Sequence, residues 1–499
     1  MDDLMYLKSG TDIRGTAIEK DGKPVELTNE RIESIVNSLV VFLKKKLNKN
    51  DLTISVGYDS RVSSERIFES VTKTLLSLGV KVYDCGLAST PSMFMSIINF
   101  SLDASIEITA SHLPMEMNGL KFFTRQGGFS GGDIKEILEY AQDNTYATGD
   151  ISELPEKLPS MDEYCENLCT MIKEGVNAED YEKPLKNLKI VVDAGNGVGA
   201  FYAEKVLKVL GADTEGSQFL EPDGTFPNHI PNPENKAAME AICKAVADAK
   251  ADLGVIFDTD CDRAACVDEN AREINRTKLV ALASYIALKD GKGGVIVTDS
   301  VTSDGLNEFI EKDLGGEHHR FKRGYKNVID EAIRLVNEEN KNAPLAIETS
   351  GHAAFSENYY LDDGAYLITK IIIELAKLSK DGKSIDDVIR NLKTPSEEKE
   401  IRFKINLQDF KDYGNTVISD LKALAEKEDF ITIAPTNYEG IRINFNKDTG
   451  NGWLLLRMSV HEPLLVLNCE SEEIGGVEKM LSFFKPFISS YDKLDLSKM

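Results

Sequence analysis

A serine beside a histidine follows a predicted strand in the segment IEITASHLPMEMNGLKFF, residues 106–123. Ser111 and His112 come at the turn, and Lys121 lies on a second strand that Asn118 and Gly119 are expected to start. A hydroxyl next to an imidazole, with an ammonium within reach of the same hairpin, can act as a nucleophile or phosphate carrier. The same residues suit a capping serine on a surface hairpin, and this segment alone favours that second interpretation.

Three aspartates alternate directly after the apolar strand of the segment VIFDTDCDRAACVD, residues 255–268. In an extended segment this spacing places Asp258, Asp260 and Asp262 on one side, where their mutual repulsion requires a neutralising cation. Mg²⁺ takes such carboxylates and fills its other positions with water or phosphate oxygens. Arg263 adds a planar fork that suits phosphate. The segment therefore predicts a magnesium site beside a phosphate rather than a solvated acidic turn.

A third segment, AIETSGH at residues 346–352, offers groups for a sugar. It is a predicted strand that runs into a turn with Glu348, Ser350 and His352. A carboxylate and a hydroxyl held at a strand end can take paired hydrogen bonds from neighbouring sugar hydroxyls. Taken singly, the segment also suits an ordinary turn.

A fourth segment, LLLRMSVHEPLLVLN at residues 454–468, alternates Arg457, Ser459 and His461 between two apolar strands. Alternation directs the three side chains to one side, where they suit a phosphate dianion or form the wet face of an edge strand. Basic residues at other predicted turns are consistent with a cationic pocket in an acidic chain, and these are Arg14, Lys322, Arg323 and Lys326.

Strands and helices alternate through most of the chain, and the candidate residues follow strand ends. LTISVGYD precedes SSERIFESVTKTLLSLG, LKIVVDAG precedes AFYAEKVLKVLG, and PLAIETSG precedes AYLITKIIIELAKLS. This alternation predicts α/β units around mixed or parallel sheets. After about residue 400 the strands come at hairpin-like spacing around one helix, which predicts an α+β segment.

Two stretches lose the alternating pattern and are interpreted as boundaries. They are TYATGDISELPEKLPS around residues 145–160 and LKTPSEEKE around residues 392–400. A third boundary, near residues 272–276, rests on the recurrence of strand–helix units on both sides. The predicted domains are an α/β domain with the Ser111 turn, one with the aspartates, one with Glu348, and an α+β domain with Arg457, at residues 1–155, 156–274, 275–394 and 395–499.

Composition limits the classes of function. The 499 residues carry 58 Lys+Arg against 83 Asp+Glu, a net charge of −25, and 42 % of them are hydrophobic. Such a chain can bury several cores, while its field repels nucleic acid and anionic membranes. We therefore expect an enzyme of small molecules that binds neither nucleic acid nor a membrane.

Cysteine usage and the start of the chain favour a cytoplasmic protein. MDDLMYLKSGTDIRG has no apolar stretch behind a basic start, and no apolar run approaches the roughly 20 residues of a membrane span. The seven cysteines are odd in number and scattered, which fits reduced thiols. Cys165 and Cys169, four residues apart on a predicted helix, are interpreted as packing residues rather than metal ligands.

A dinucleotide site is an alternative interpretation. DAGNGVGA, residues 193–200, places Gly195, Gly197 and Ala200 between a strand and a helix, with Asp213 and Glu215 near the next strand. That is a fair dinucleotide fingerprint. An NAD(P)-dependent oxidoreductase would, however, leave the Ser111 turn, the aspartates and the Arg457 segment without a role.

Taken in order, the segments resemble the α-D-phosphohexomutase family, which includes phosphoglucomutases and phosphomannomutases. The resemblance covers essentially the whole chain, and its markers are TDIRG, TASHLP, DAGNGVG, DGTFPNHIPNP, DTDCDR, ETSGH and RMSVHEP. It implies an α/β fold of four domains around a central cleft, with three related α/β domains that contain mixed sheets and a C-terminal α+β domain.

The resemblance also implies roles for individual residues. Ser111 is expected to be the phosphoserine and to hold Mg²⁺ together with Asp258, Asp260 and Asp262. Catalytic groups around the transfer site would be Ser111, His112, Lys121 and Arg14. The substrate would be bound by Arg263, Arg323, Glu348, Ser350 and His352, and the phosphate that is not transferred by Arg457, Ser459 and His461.

The activity implied by the resemblance interconverts hexose 1-phosphate and hexose 6-phosphate of glucose, mannose or both. It proceeds through a phosphoserine enzyme and a bisphosphorylated sugar, with glucose 1,6-bisphosphate or mannose 1,6-bisphosphate as activator. A non-catalytic sugar-phosphate sensor on the same fold is the alternative. The preference among glucose, mannose and amino sugars stays open, as do the second general acid or base, the pathway and the oligomeric state.

Three positions depart from the pattern of the family. Leu113 stands where the family usually has Asn, and Tyr325 with Lys326 follows Gly324 where some members carry a catalytic His. RMSVHEP replaces the common R-P-S-G-T-E-P, so that Val460 and His461 alter the phosphate loop.

Overall fold

The computed structural model describes residues 3–459 and 462–499. Those residues form two compact units, one with the chain up to residue 279 and residues 350–387, the other with residues 280–349 and 388–499. Within the described part of the chain, no helix combines the length and apolar character needed to cross a membrane.

The strands of the first unit are Lys8–Ser9, Asp12–Thr16, Thr53–Tyr58, Lys81–Leu87, Ala104–Ile108, Met117–Thr124, Gly127–Gly128, Glu156–Lys157, Ile190–Asp193, Leu253–Phe257, Ala264–Asp268, Glu273–Ile274 and Ala353–Phe355. Its α-helices are Asn29–Leu47, Ser64–Ser77, Thr90–Phe100, Gly131–Asp143, Ser160–Val176, Lys236–Ala249 and Gly364–Lys380. Shorter helical turns are Met5–Leu7, Tyr202–Leu207 and Ser356–Asn358.

The strands of the second unit are Val295–Thr298, Glu317–Arg320, Leu345–Ile347, Glu397–Lys404, Ile431–Ile433, Ile441–Phe445, Gly452–Met458 and Leu464–Ser471. Its helices are Asp304–Glu308, Phe309–Asp313, Tyr325–Glu339, Phe410–Ala425 and Gly476–Ile488. The helices Thr277–Leu288 and Ile385–Val388 contain the points where the chain passes from one unit to the other.

The first sheet is mixed. Thr53–Tyr58 runs parallel to Lys81–Leu87 and to Ala104–Ile108, whereas Met117–Thr124 runs antiparallel to Ala104–Ile108 and to Asp12–Thr16. Helices connect the parallel strands, because a parallel pair needs a crossover connection. A short loop is enough to connect the antiparallel strands Ala104–Ile108 and Met117–Thr124. That short loop carries Ser111.

The helix Asn29–Leu47 shows how the first sheet is covered. Its buried residues recur every three or four positions, as an amphipathic helix on a core requires, and they include Ile32, Ile35, Val36, Leu39, Val40 and Leu43. Thr28 caps its N-terminus by accepting a hydrogen bond from the Arg31 amide at 3.4 Å. Asn48, with φ +48°, ends it in the left-handed conformation.

The second sheet lies below the aspartate turn. In this sheet, Leu253–Phe257 runs parallel to Ile190–Asp193 and antiparallel to Ala264–Asp268. The helix Lys236–Ala249 packs on this sheet, and the helix Gly364–Lys380 contacts both the sheet and the helix Ser160–Val176. Residues 350–387 thereby belong to the first unit.

The second unit contains one parallel and one antiparallel arrangement of strands. Val295–Thr298 is parallel to Glu317–Arg320 and to Leu345–Ile347. Residues beyond 397 form an antiparallel sheet with the strand order Glu397–Lys404, Leu464–Ser471, Gly452–Met458, Ile441–Phe445 and Ile431–Ile433. The two C-terminal helices share one buried core with that sheet.

The Ser111 hairpin differs in detail from the prediction. Its second strand already begins at Met117, so that Asn118 and Gly119 lie within the strand rather than at the turn. The Asn118 amide group donates to Ser63 Oγ at 2.9 Å and to Ser64 Oγ at 3.1 Å. A side-chain Cβ at Gly119 would come within 2.5 Å of the Ile13 carbonyl, so close strand packing accounts for this glycine.

The aspartate segment is a tight turn and not the extended stretch that was expected. It follows the strand Leu253–Phe257, and Cys261 adopts a φ of +61°. The carboxylates converge because the turn folds back on itself, with the Arg263 amide donating to Asp258 Oδ1 at 3.2 Å. Similarly, the stretch predicted as a linker contains the short strand Glu156–Lys157, which pairs with Lys81–Leu87 of the first sheet.

Gly254 gives a test of the packing below the aspartate turn. A Cβ added there would lie 2.4 Å from Val246 Cγ2 on the covering helix. We expect Gly254→Ala to lower the thermal unfolding midpoint, because overpacking of a filled core costs about 1–3 kcal/mol. Gly132→Ala, where the nearest atom is Ser130 Oγ at 3.5 Å, is the matched control in thermal denaturation followed by circular dichroism. Equal midpoints for Gly254→Ala and the wild type would contradict this account.

Candidate active site

Ser111 is a buried residue of the loop between the strands Ala104–Ile108 and Met117–Thr124. Its Oγ donates to Asp258 Oδ2 at 3.1 Å and lies 3.2 Å from His112 Nδ1. Arg263 Nη2 donates to the same Oγ at 3.3 Å. The hydroxyl is therefore in contact with a carboxylate, an imidazole and a guanidinium at once.

His112 is a neutral imidazole beside Ser111. Burial lowers the pKa of His112 to about 2, and the nearby positive charges of Arg263 and Arg14 act in the same direction. The imidazole is therefore neutral at physiological pH, and one of its ring nitrogens is an acceptor.

The three aspartates converge beside Ser111. One carboxylate oxygen from each of Asp258, Asp260 and Asp262 lies within 4.8 Å of the other two. Asp260 Oδ1 and Asp262 Oδ1 are buried and have no hydrogen-bond partner among the described residues. Buried acceptors of this kind fit a cation ligated by oxygen.

Lys121 stands between two of these carboxylates. Its Nζ donates to Asp260 Oδ2 at 2.8 Å and to Asp262 Oδ2 at 2.6 Å. Thr90 Oγ1 also donates to Asp260 Oδ2, at 2.5 Å. The strand Met117–Thr124 thus delivers an ammonium to the aspartate turn.

The surroundings shift the pKa values of Asp258 and Asp262 in opposite directions. Burial raises the pKa of Asp258 well above its ordinary value, and the negative charge of Asp262 raises it further. Burial also acts to raise the pKa of Asp262, but Lys121, His352 and Arg263 outweigh it, so that this pKa is lowered. Burial and repulsion thus favour the protonated form of Asp258, while the neighbouring cations favour the ionised form of Asp262.

His352 lies on the other side of the aspartate turn. Its Nδ1 is hydrogen-bonded to Asp362 Oδ2 and lies 4.0 Å from Asp262 Oδ1. Burial acts to lower the pKa of His352, but the charges of Asp362 and Asp262 outweigh it and raise this pKa to about 9. Gly351 allows the approach, since a Cβ there would be 2.7 Å from the Ala264 carbonyl.

Two other predicted residues of the first unit lie in its loops and strands. Ser350 is buried, and its Oγ has no hydrogen-bond partner among the described residues. Arg14 is on the strand Asp12–Thr16 and donates from Nη2 to Asp12 Oδ2 at 2.7 Å.

Other predicted residues belong to the second unit, and two of them, Arg323 and Arg457, contact Glu439. Glu439 accepts from the Arg323 amide at 3.0 Å and lies 3.5 Å from Arg457 Nη1. Glu348 accepts from the Gly324 amide at 2.7 Å. Ser459 follows the strand Gly452–Met458, and His461 lies outside the described residues.

The structure thus brings one set of predicted residues into mutual contact, and these are Ser111, His112, Lys121, Asp258, Asp260, Asp262, Arg263 and His352. The sequence did not reveal the residues that support the predicted ones, which are Asp59 and Arg61 in the first unit and Glu439 in the second. Asp59, Arg61 and Glu439 were available as charged residues in YDSRVSSE and NYEGIRINF, each beside a strand, but short spacing gave no indication of their distant partners.

The loop with the DAGNGVG segment contains a buried histidine–aspartate pair. His229 Nε2 lies 3.0 Å from both carboxylate oxygens of Asp193, and its Nδ1 lies 2.9 Å from the Ile230 carbonyl. Gln218 donates to Asp193 Oδ2 at 2.7 Å and the Gly195 amide to Asp193 Oδ1 at 2.9 Å. The Asp193 carboxylate therefore holds the turn at Gly195 together with Gln218 and His229 through hydrogen bonds.

The segment after His229 reaches Arg263. Asn232 Oδ1 accepts from Arg263 Nη1 at 3.4 Å, and Glu234 Oε2 lies 3.9 Å from the same nitrogen. Arg263 Nε donates to Asp258 Oδ2 at 3.0 Å. These contacts connect the His229 loop to the aspartate turn and to Ser111.

Fold and site together define an enzyme of phosphoryl transfer. A hydroxyl held among cations, next to a carboxylate cluster that fits a divalent ion, provides a phosphate acceptor with electrostatic stabilisation of the transferred group. α/β domains place these groups on loops after strand ends, where ligands bind in such folds.

Comparison with known proteins agrees with this class. Residues 7–148, 162–272 and 276–395 match the family profiles described as phosphoglucomutase/phosphomannomutase alpha/beta/alpha domains I, II and III. A phosphoglucomutase/phosphomannomutase of Thermococcus kodakarensis is 32 % identical over 466 residues, 92 % of this chain and 93 % of the relative. A phosphoglucomutase of Neisseria gonorrhoeae is 28 % identical over 450 residues, 89 % and 90 % of the two chains.

A solved structure agrees as well. The crystal structure of a phosphoglucomutase/phosphomannomutase family protein from Burkholderia thailandensis matches with a TM-score of 0.78 and 26 % identity over 98 % of both chains. This chain belongs to the phosphoglucomutase/phosphomannomutase family, the α-D-phosphohexomutases, and is a phosphotransferase mutase. The predicted fold class, three α/β domains and a further C-terminal sheet domain, is confirmed.

His229 provides a pH-dependent test of the supporting loops. Burial acts to lower the pKa of His229, but the hydrogen bond and the charge of Asp193 outweigh it and raise this pKa above 6.5. A raised pKa stabilises the fold fully below the pKa of the unfolded state, and this stabilisation is lost as pH rises through the folded pKa. We expect His229→Gln to lower the thermal midpoint more at pH 5.5 than at pH 9.

The reference for this comparison is the wild-type protein, measured at the same two pH values. An equal loss at both pH values for His229→Gln would show that the buried pair contributes packing and hydrogen bonding without the charge.

Proposed function

We propose that the chain interconverts hexose 1-phosphate and hexose 6-phosphate, with Ser111 as the phosphoserine. The observation that carries this proposal is the contact of the buried Ser111 Oγ with His112 on its own loop and with Asp258 and Arg263 on the aspartate turn. An ordinary capping serine has no need of three such neighbours. The names of the relatives support hexose phosphates as the substrate class.

In the proposed reaction, the phosphoryl group on Ser111 Oγ passes to the free hydroxyl of a hexose monophosphate. The hydroxyl oxygen bonds to phosphorus as the bond between Oγ and phosphorus breaks; the hydroxyl proton leaves to a base, and Oγ takes up a proton. The resulting bisphosphate turns over, Oγ loses this proton as it takes back the other phosphoryl group, and the sugar oxygen released from phosphorus takes up a proton. Positioning and neutralisation of charge supply most of the acceleration in such transfers.

His112 and Lys121 are the proposed acid–base groups. His112 lies next to the Ser111 oxygen, where a ring nitrogen can relay the proton that leaves or returns there. The Lys121 ammonium lies between Asp260 and Asp262 and neutralises charge beside the transferred group. Arg14 and Arg263 are proposed to add positive charge around the same oxygen.

The aspartate turn fits Mg²⁺. Three converging carboxylates, two with a buried oxygen that lacks a partner among the described residues, match an ion that prefers oxygen ligands. Asp258, Asp260, Asp262 and the phosphate on Ser111 would hold it. When bound, it would supply neutralising charge for the phosphoryl oxygens.

The remaining predicted roles are part of the same proposal. Sugar hydroxyls would be bound by Glu348, Ser350, His352 and Arg323, and the phosphate that is not transferred by Arg457, Ser459 and His461. The domains proposed for these roles are residues 1–155, 156–274, 275–394 and 395–499. Glucose 1,6-bisphosphate or mannose 1,6-bisphosphate would prime the enzyme by phosphorylating Ser111.

Ser111→Ala is the direct test. We expect conversion of glucose 1-phosphate to glucose 6-phosphate, primed with a trace of glucose 1,6-bisphosphate, to vanish in this variant because the phosphate acceptor is gone. Ser482→Ala, on an exposed helix face, is the matched control and should retain wild-type turnover. The measurement is a coupled assay of glucose 6-phosphate formation, with mannose 1-phosphate and glucosamine 1-phosphate as parallel substrates.

The outcomes of this assay separate the alternatives. Turnover of glucose and mannose phosphates above that of the amino sugar supports the dual specificity proposed here. No conversion of any sugar phosphate by protein that carries phosphate on Ser111 would contradict catalysis and favour a sugar-phosphate sensor on the same fold.

Removal of Mg²⁺ is a second test. We expect EDTA to abolish turnover and added Mg²⁺ to restore it. Asp260→Asn should raise the Mg²⁺ concentration needed for half-maximal rate by at least roughly 10–100-fold, the loss that follows even from removing partners of metal ligands. Asp420→Asn, on the exposed face of a C-terminal helix, is the control. Full activity in EDTA would show that the aspartates act without a metal.

A further inference from the structure

The loop that carries Ser111 is hydrogen-bonded to a single buried guanidinium, that of Arg61. Arg61 Nη2 donates to the carbonyl oxygens of Ser111 and Leu113, the latter at 2.7 Å. Arg61 Nη1 donates to the carbonyl oxygens of Pro114 at 2.8 Å and Met117 at 3.0 Å. Four carbonyl groups between residues 111 and 117 thus converge on one side chain.

The fifth donor of Arg61 is bound to a neighbouring carboxylate. Arg61 Nε donates to Asp59 Oδ2 at 3.1 Å, so all five N–H groups of the guanidinium have acceptors within the first unit. Both side chains are fully buried. Because its donors are used by the protein, Arg61 is placed to hold the loop rather than to bind a phosphate.

Asp59 completes the support from the other side of Ser111. It accepts from Thr109 Oγ1 at 2.7 Å, and Thr109 Oγ1 accepts from the Ser111 amide at 2.8 Å. Asp59 also accepts from Ser64 Oγ at 3.0 Å. The Ser111 amide and the Ser111 carbonyl are therefore both tied to the Asp59–Arg61 pair, the first through Thr109.

Such support is needed because of the backbone conformation of Ser111. Its φ is +52°, a left-handed value that is unfavourable for a residue other than glycine. Strained conformations of this kind persist only where the surroundings determine them. At Ser111, the left-handed backbone conformation directs Oγ toward Asp258 Oδ2.

A second loop covers the guanidinium. The Phe226 ring centroid lies 5.3 Å from the centre of the Arg61 guanidinium. Gly224 packs against the backbone of the Arg61 turn, since a Cβ there would be 2.4 Å from the Val62 amide nitrogen. The loop that precedes the helix Lys236–Ala249 is thereby packed on the residue that holds the Ser111 loop.

We infer that Arg61 is a positioning residue for the phosphoryl transfer, which it serves by fixing the Ser111 loop through four carbonyl groups. The inference rests on the proposed function of Ser111. It requires the fork of a guanidinium, because the three donors of a lysine ammonium on a flexible stem cannot reach the same set of acceptors.

Arg61→Lys is the test, with Arg66→Lys as the matched control. Arg66 is five residues away on the helix Ser64–Ser77 and also donates to backbone carbonyls, those of Ala17 at 3.3 Å and Leu27 at 3.0 Å. We expect Arg61→Lys to lower kcat about 100-fold, the loss that a displacement of about 1 Å can cause, with KM changed less than about threefold. Arg66→Lys should retain the wild-type kcat.

Rescue distinguishes positioning from general loss of structure. In Arg61→Ala, added guanidinium ion should restore turnover in a saturable manner, whereas ammonium at the same concentration should not. Thr109→Val, which cuts the tie to the Ser111 amide and keeps the side-chain shape, should show the same fall in kcat at nearly constant KM. It keeps the inference testable if the Arg61 variants fail to fold.

The outcomes also separate this inference from the proposed function. A wild-type protein that converts no hexose phosphate overturns the proposed function. A wild-type protein that is active, with Arg61→Lys or Thr109→Val as active as Arg66→Lys, overturns the positioning role alone. Loss through KM with kcat unchanged also overturns it, since Arg61 would then act on substrate binding.

Discussion

The crowding of buried carboxylates around one serine is the constraint on which this site depends. Asp258, Asp260 and Asp262 are all withdrawn from water beside Ser111, and Glu107 is buried on the adjacent strand, in register with Lys121. Burial raises the pKa of Glu107 well above its ordinary value, and the charges of nearby aspartates raise it further, which favours the protonated form. Removing so many carboxylates from water is costly unless they are paired, protonated or bound to a cation. The cations that surround Ser111, and the fit to Mg²⁺, follow from that cost.

Tight turns, rather than the strands themselves, aim the functional groups. Ser111 and Cys261 both adopt left-handed backbone conformations, and each lies directly after a fully buried strand. A short strained turn holds its side chains in one direction only if its amide and carbonyl groups have fixed partners. Buried pairs such as Asp59 with Arg61 and Asp193 with His229 provide those partners. Much of the buried charge in the first unit therefore serves to shape loops that themselves carry the chemistry.

The second unit repeats this arrangement with different residues. Glu439 accepts from Ser300 Oγ at 2.7 Å and from the Arg323 amide, and it lies beside Arg457. Asp299 accepts from Thr349 Oγ1 at 2.8 Å and lies 3.4 Å from Arg323 Nε. Cations that suit phosphate are thus held in place by carboxylates from neighbouring loops, which keeps them ordered and compensates their burial.

The sequence by itself determined the family, the α/β fold class and the identity of the Ser111 and aspartate segments. Each of these depends on short motifs or on a local periodicity, which residues close together in the chain carry. Only the tertiary structure decided that Asp258 is bound to Ser111, that the aspartate segment is a turn, and that Arg61 lies under the Ser111 loop. Those contacts join residues about 50 to 150 positions apart, and a periodicity of two or 3.6 carries no information at that separation. Strand order and the packing of helices on the sheets bring such residues together, so their partners exist only once the chain has folded.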